Sequence, residues 1–418
     1  MKKTIFPIRI LLVISTFLLT VLLYIDRACI SAAKDEICTD LGFDLTDFGW
    51  VMAVFTLGYA LFQVPSGKLA DKYGPRGVIS GIVTIWSIFT AVTGFAWNYT
   101  SMLVIRFLFG AGEAGAFPSI SKVVFNWFPV KERGVVQGIN FSGSRLGAAF
   151  ALPLVAWMIT VVGWRNSFYI FGAFGILYGI LWYTLFKNKP EESKTIGEKE
   201  KKYILEYRQE ASAKKGTIAF SKIIKSKNVW MTMIQYVCSN FTFYFTLTWM
   251  FPFVKERFGL SPVEAGLYSS VPLIAGAVGN WFGGVLVDWL YRIKGLRISR
   301  RIPPIIGFAL AAFGMLMVTN STSSTMAIVF LAIAVFGADM TLSPSWVFCI
   351  DIGKENAGAV SGTMNMAGNL GAFITIMAYP YLIEWTGSNV PFFYIAASLS
   401  IIAIIMWTFM NPQKVVSE

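Results

Sequence analysis

Residues 101–128 form an almost unbroken apolar run, long enough to cross a bilayer as a helix, that nonetheless holds Arg106 and Glu113 well inside its ends. An unpaired charge at mid-membrane costs roughly 3 kcal/mol on insertion scales, so such groups face a protein interior or a water-filled cavity and take partners there. The two are separated by about two helical turns, which places them near one face, roughly 10 Å apart along the axis. Gly110, Ala111, Gly112, Ala114 and Gly115 lie on that stretch, and small residues let a neighbouring helix approach closely. A buried structural ion pair would satisfy this pattern. So would a functional site, which further intramembrane charges elsewhere in the chain favour.

The rest of the chain is of the same kind. Of its 418 residues, 56% are hydrophobic and 14% charged, and the mean hydropathy is +0.62, far from the averages of soluble domains. The expected class is an all-α membrane protein. A net charge of +12 raises nucleic acid as a partner, but the Lys and Arg residues sit in loops where a positive-inside bias puts them, and no nucleic-acid footprint remains. Cys29, Cys38, Cys238 and Cys349 show no metal-ligand or framework spacing and read as small buried hydrophobes, so no metal is expected. The chain has no His, which leaves proton chemistry to carboxylates. The basic N-terminal start precedes an apolar run too long for a signal peptide, with no A-x-A site after it, and reads as a first transmembrane helix. A channel would need a filter or charged rings, and a membrane enzyme a nucleophile, metal or cofactor constellation. Neither pattern is present, and no cofactor is expected.

Apolar runs predict twelve transmembrane helices near 8–33, 46–70, 78–97, 101–128, 134–158, 165–187, 229–254, 262–290, 302–319, 325–348, 357–384 and 390–411. Lys68, Lys72 and Arg76, then Lys131 and Arg133, then Arg292, Lys294, Arg297, Arg300 and Arg301 all fall on the side of the termini. The loop after the first helix instead carries Asp35, Glu36, Asp40, Asp44 and Asp47. That asymmetry predicts both termini in the cytoplasm, and the short first loop suits a bacterial inner-membrane protein. The hydrophilic stretch 188–228 divides the helices into bundles at 1–187 and 229–418. It is expected to be a cytoplasmic, solvated linker with a short surface helix near 198–209.

Repetition supports the six-and-six division. Gly67-x-x-x-Asp71 recurs as Gly284-x-x-x-Asp288, an offset of 217. Gly134, Gly138, Leu146, Gly147 and Ala148 match Gly358, Gly362, Leu370, Gly371 and Ala372 at 224, and Glu113, Pro118 and Ser119 match Asp339, Pro344 and Ser345 at 226. Helix n therefore corresponds to helix n+6. Two such halves and a linker are the arrangement of a rocker-type secondary transporter, with its site near mid-membrane.

Residues 67–77, GKLADKYGPRG, resemble the cytoplasmic signature of the major facilitator superfamily, in which the Gly permits tight helix packing and the Asp caps or pairs near a helix end. The match departs at Pro75 and Gly77, so an ionic latch is expected on Asp71 and Arg76, with Arg133 as a further candidate and Asp288 as the repeat-mate of Asp71. YIDRA at 24–28, RFLFGAGEAGAFP at 106–118, NWFP at 126–129, GSRLGAAFALP at 143–153, LTWMFPF at 247–253 and MNMAGNLGAF at 364–373 are more particular. Together, across essentially the whole chain, they look like the anion:cation symporter family, which includes hexuronate, aldonate and aldarate transporters and the sialic acid and vesicular glutamate carriers. The resemblance implies twelve helices in two pseudo-symmetric six-helix halves, the major facilitator fold. It also implies a monomeric, proton-coupled symporter that imports a small organic anion, most simply a sugar acid, by alternating access. The alternative is an exchanger for another organic or phosphorylated anion.

Candidate residues follow. Asp26 and Arg27 are adjacent, so they leave the first helix about 100° apart and seek different partners. A guanidinium offers a carboxylate a bidentate fork and stays charged when desolvated, which suits Arg27 to the substrate. Arg106 could hold Glu113 or substrate. Arg145 adds a third guanidinium or pairs with Glu113 or Asp339. For protons, Asp26 and Glu113 are the candidates, Glu113 releasing Arg106 and Asp26 controlling Arg27, with Asp339 as a further acid in the tenth helix. Hydroxyl partners and a stacking surface are expected from Tyr24, Tyr59, Tyr244, Ser343, Trp346, Asn365 and Asn369, near the middle of helices that line the central cavity in the family fold. The resemblance itself supports Arg27, Arg106 and Glu113.

Overall fold

The computed structural model describes residues 7–209, 219–260 and 262–416. Every regular element among them is helical, and together they make twelve spans. In order these are Ile8–Ala32, Leu45–Tyr73, Pro75–Thr93, Tyr99–Trp127, Arg133–Val162 and Trp164–Leu185, then Lys227–Thr248 continued by Met250–Phe258, Pro262–Lys294, Leu296–Thr319, Ser324–Met340 continued by Leu342–Gly353, Ala357–Thr386 and Val390–Phe409. Among the described residues, nine stretches are long and apolar enough by themselves to cross a membrane, one of them holding both the tenth and eleventh spans. The fifth and seventh, which are not among the nine, are helices of 30 and 22 residues.

Local chemistry sets the starts of these helices. Asp44 and Asp47 form a capping box on the second span, and Asn98 and Ser101 form another on the fourth, satisfying backbone N–H groups that have no partner inside the helix. Gly74 and Gly295 turn the chain between the second and third and between the eighth and ninth spans with φ of 86° and 77°, a conformation that L residues with a Cβ resist. The acidic first loop contains a helix, Lys34–Leu41, that the composition did not signal.

The linker departs from the solvated expectation. Its helix runs over Glu198–Tyr207, and the Glu200 carboxylate accepts the N–H groups of Ile8 and Arg9 at 3.1 and 3.0 Å. The first span begins after Pro7, which supplies no side-chain cap, so Glu200 takes that role at the positive end of the helix. Part of the linker, residues 210–218, lies outside the described residues.

Packing divides the chain into two units. One comprises Met1–Val130, Gly143–Ile218 and Gly353–Met366, the other Lys131–Ser142, Ala219–Ile352 and Ala367–Glu418. In the first unit, Cys29, Ile30, Ile37, Phe48, Met102, Val155, Phe168 and Phe171 form a buried core joining helices far apart in sequence. In the second, Phe245 sits in an aromatic cluster with Phe253, Tyr379, Phe392 and Phe393 at centroid distances of 5.0–6.1 Å. Many large apolar side chains nevertheless remain exposed along the spans, among them Phe150, Ile274 and Phe373. A bilayer covers such surface.

Two spans are interrupted at matching places. The fourth breaks at Ala114–Gly115, directly after Glu113, and the tenth at Thr341, two residues after Asp339. Irregular backbone at membrane depth is tolerated where protein buries it or where it lines a cavity, and transporter sites are built there.

Candidate functional site

The first span carries Arg27 toward Glu113. Its Nε donates to both Glu113 carboxylate oxygens at 3.0 Å, with the Arg27 side chain 18% exposed and that of Glu113 fully buried. Three aromatic rings surround the guanidinium, with centroids 5.1 Å (Tyr24), 5.2 Å (Phe55) and 4.5 Å (Tyr59) from its carbon. Each desolvated cation–π contact adds about 1–2 kcal/mol. Asn365 Nδ2 donates to the Tyr59 hydroxyl at 3.4 Å. Arg27, Glu113, Tyr24, Tyr59 and Asn365, all candidates from the sequence, are therefore brought together in one cluster, with Phe55 added to it.

The pairing within that cluster differs from the expectation. Glu113 holds Arg27 rather than Arg106, because residues two turns apart on one helix are about 10 Å from each other and Glu113 meets the first span instead. Arg106 is buried, its guanidinium carbon 5.1 Å from the Phe55 ring and 4.6 Å from that of Phe109, and its Nε has no hydrogen-bond partner among the described residues. Phe55 thus stands between two guanidinium groups. In a chain with 36 Phe no signal separates it from core; its position four before Tyr59 is the one clue.

Asp26 leaves the helix the other way. Trp86 Nε1 donates to its Oδ2 at 3.0 Å, its Oδ1 has no partner among the described residues, and it is 1% exposed. Arg27, which Asp26 was expected to control, is paired with Glu113 instead. Arg145 is buried on the fifth span between Gly143 and Gly147. Those glycines lie against the first span, where a Cβ at Gly147 would come within 3.1 Å of the Tyr24 Cβ.

The second unit contains several neutral pairs among its mid-span polar groups. Tyr244 donates its hydroxyl to Asn369 Oδ1 at 3.0 Å, and Trp346 Nε1 donates to the Tyr236 hydroxyl at 2.9 Å. Tyr236 was not expected. Ser343, expected among substrate hydroxyls, is fully buried and donates to the Gly134 carbonyl at 2.7 Å, a tie to the start of the fifth span. Asp339 accepts from Asn280 Nδ2 at 3.4 Å, and the same amide donates to the Gly276 carbonyl at 3.2 Å.

The repeated Gly-x-x-x-Asp stretches build matching seams. Asp71 accepts the N–H groups of Gly358 and Ala359 at 3.0 and 2.7 Å. Asp288 accepts those of Gly134 and Val135 at 2.9 and 2.7 Å. Each carboxylate caps the positive N-terminus of a long helix. Gly67 and Gly284 make this possible: a Cβ at Gly67 would stand 2.6 Å from the Gly358 carbonyl carbon, and one at Gly284 would stand 3.0 Å from that of Gly134. The expected Asp71–Arg76 latch is absent among the described contacts. Arg76 donates to the Tyr183 carbonyl at 2.8 Å and stacks on that ring, while Lys122 stands 3.8 Å from Asp71. Arg133 pairs with Asp351 at 2.7 Å, and Arg300 takes the second oxygen of the same carboxylate at 2.7 Å. Lys122, Arg300 and Asp351 were missed as partners because each lies near a helix end, where a charge needs no special account.

A family model described as Major Facilitator Superfamily matches residues 16–376. The chain is 31% identical over 398 residues to the Cupriavidus necator protein named "Probable sulfoacetate transporter SauU", covering 94% of this chain and 92% of that one. It is also 31% identical over 399 residues to "Probable galactarate/D-glucarate transporter GudP" of Escherichia coli (strain K12), covering 91% and 88%. Among solved structures, that of the proton:xylose symporter XylE bound to 6-bromo-6-deoxy-D-glucose matches with a TM-score of 0.75 at 16% identity, over 96% of this chain and 95% of that one; the likeness is one of fold. Twelve spans, repeated capped seams and buried charges at interrupted helices agree with the match: the chain belongs to the Major Facilitator Superfamily and is a membrane transporter, not an enzyme.

Proposed function

We propose that this transporter is a proton-coupled symporter that imports a small organic anion, a hexuronate, aldonate or aldarate, by alternating access. The observation that carries the reading is the Arg27–Glu113 pair under its aromatic rings. With the anion absent, Glu113 neutralises Arg27. An arriving carboxylate competes with Glu113 for the same guanidinium, a group suited to a bidentate partner. Glu113 is then left buried without its cation, a state that costs several kcal/mol, and a proton relieves it. Anion and proton therefore board together. Asp26 is the second acid of the reading. Arg106, Arg145 and Asp339 tune the field, and Tyr24, Tyr59, Tyr244, Asn365, Asn369 and Trp346 supply hydroxyl, amide and stacking contacts to a polyol chain.

The named relatives carry sulfoacetate and galactarate or D-glucarate in their names, all organic anions, which supports the class. Opening toward the cytoplasm breaks the Asp71 and Asp288 caps in this scheme. Basic loops at 68–76, 131–133 and 292–301 support cytoplasmic termini in an inner membrane, and the reading takes the carrier as a monomer.

The test is uptake into proteoliposomes of D-glucuronate, D-gluconate and D-galactarate, with and without an inward proton gradient. At least one is expected to accumulate faster when the outside is acid. Transport that ignores pH and requires a counter-anion inside would mark an exchanger instead.

A further inference from the structure

Asp26 is a buried carboxyl whose geometry sets it apart from the anion site, although it neighbours Arg27 in the chain. Its Oδ2 accepts from the indole of Trp86, on the third span, at 3.0 Å. That span is pressed against the fourth, where a Cβ at Gly112 would come within 3.3 Å of the Trp86 backbone nitrogen. Trp86 is itself fully buried, so its indole N–H needs a partner inside the protein. The charged and titratable groups facing Asp26 are Glu113 and Arg106 from the fourth span and Cys29 on its own helix. From the sixth span, Tyr178 donates its hydroxyl to the Ser15 carbonyl at 2.7 Å, about three turns away. On the fifth span Arg145 lies between Gly143, which packs at Phe17 and Thr20, and Gly147, which packs at Val21 and Tyr24.

We infer that Trp86 is a positioning residue for proton transfer: its indole N–H holds Asp26 away from Arg27, as a proton site that the substrate does not touch. The inference rests on the proton-coupled reading above and adds a residue which that reading does not use. Its physical basis is the choice of donor. A neutral N–H orients the carboxyl without a cation paired directly to it, while the Glu113 and Arg106 charges facing it act in opposite senses, so the group is able to load and release a proton. Removing the N–H takes away a hydrogen bond that favours the ionised form, and the carboxyl then keeps its proton to higher pH.

The test compares the pH profile of uptake for the wild type, Trp86→Phe and Asp26→Asn, and the double variant, in proteoliposomes with whichever of the three sugar acids is carried. Trp86→Phe is expected to move the pH of half-maximal uptake upward by about one unit, with substrate counterflow at saturation unchanged. In the Asp26→Asn background it is expected to add nothing. Should Trp86→Phe disturb folding, replacement by 3-benzothienylalanine, which keeps the shape and deletes only the N–H, makes the same comparison. A profile superimposable on that of the wild type overturns the inference, as does a shift that persists with Asp26→Asn. A wild type with no pH dependence at all would overturn the coupling itself.

Discussion

Glu113 and Asp339 occupy matching places beside matching helix breaks, yet their surroundings differ. Glu113 is bound by the Arg27 guanidinium within a ring of aromatics, with Arg106 buried nearby. Asp339 accepts from the Asn280 amide, and the mid-span partners in its unit include Tyr244–Asn369 and Trp346–Tyr236. The Asp71 and Asp288 seams, by contrast, use the same two-amide cap with distances that agree within 0.1 Å. Duplication is thus preserved at the capped seams and lost in the partners of the two acids. At these matched positions the first unit sets a guanidinium against its acid, and the second sets an amide there.

If that contrast is real, Arg27→Ala should have the largest effect. It deletes the charge an anion needs and leaves Glu113 buried without a partner, a change of roughly 3–5 kcal/mol, so uptake should fall at least about 100-fold. Arg27→Lys should recover little, since a point charge does not replace a fork. Uptake of radiolabelled anion at subsaturating concentration reads both, and near-normal transport by either variant would break the comparison.

Next in size, Glu113→Gln should lose accumulation driven by a pH gradient while retaining exchange of substrate for substrate. Asp339→Asn should retain both. Equal losses in the two variants would mean that both units carry charge coupling.

The seams predict symmetry instead. Asp71→Asn and Asp288→Asn each remove the charge from a helix cap, worth about 1 kcal/mol, and should lower thermal stability in detergent by similar amounts. Lys122 breaks the tie in one direction. Beside an uncharged residue 71 it would keep the Glu355 carbonyl but lose its ion pair, so the Asp71 variant should be the less stable of the two by a small margin.

The smallest effect belongs to the neutral pairs. Tyr244→Phe removes one hydrogen bond to Asn369, about 1 kcal/mol or roughly fivefold in affinity, measured as ligand-induced thermal stabilisation with the transported sugar acid. A loss as large as that of Arg27→Ala would assign this unit more than shape reading.

Most of the fold could be read before any coordinates. Apolar length set the spans within a few residues because lipid imposes one length on every helix, and the constant offsets exposed the repeat. Breaks at Ala114–Gly115 and Thr341 were not legible, since the glycines around Glu113 read equally as a packing surface. Arg27, Glu113, Tyr24, Tyr59 and Asn365 were legible as candidates, because charge and polarity at mid-membrane are costly enough to need a reason. Partner choice was not. Whether Glu113 turns to Arg106 or Arg27 depends on the rotation of two helices, which hydropathy does not encode. Phe55 was hidden for the opposite reason, since an apolar ring in a bilayer helix costs nothing and so signals nothing, and Trp86 and Tyr236 lie outside the motifs that drew the eye.

The central claim is that substrate takes Arg27 from Glu113 and a proton replaces it. The most direct measurement is proton uptake on ligand binding, followed with a pH dye in weakly buffered, detergent-purified protein on addition of the transported sugar acid. The account predicts net proton uptake by the wild type, and its loss in Glu113→Gln, which should still bind. Binding without proton uptake, or undiminished uptake in the Gln variant, would contradict it.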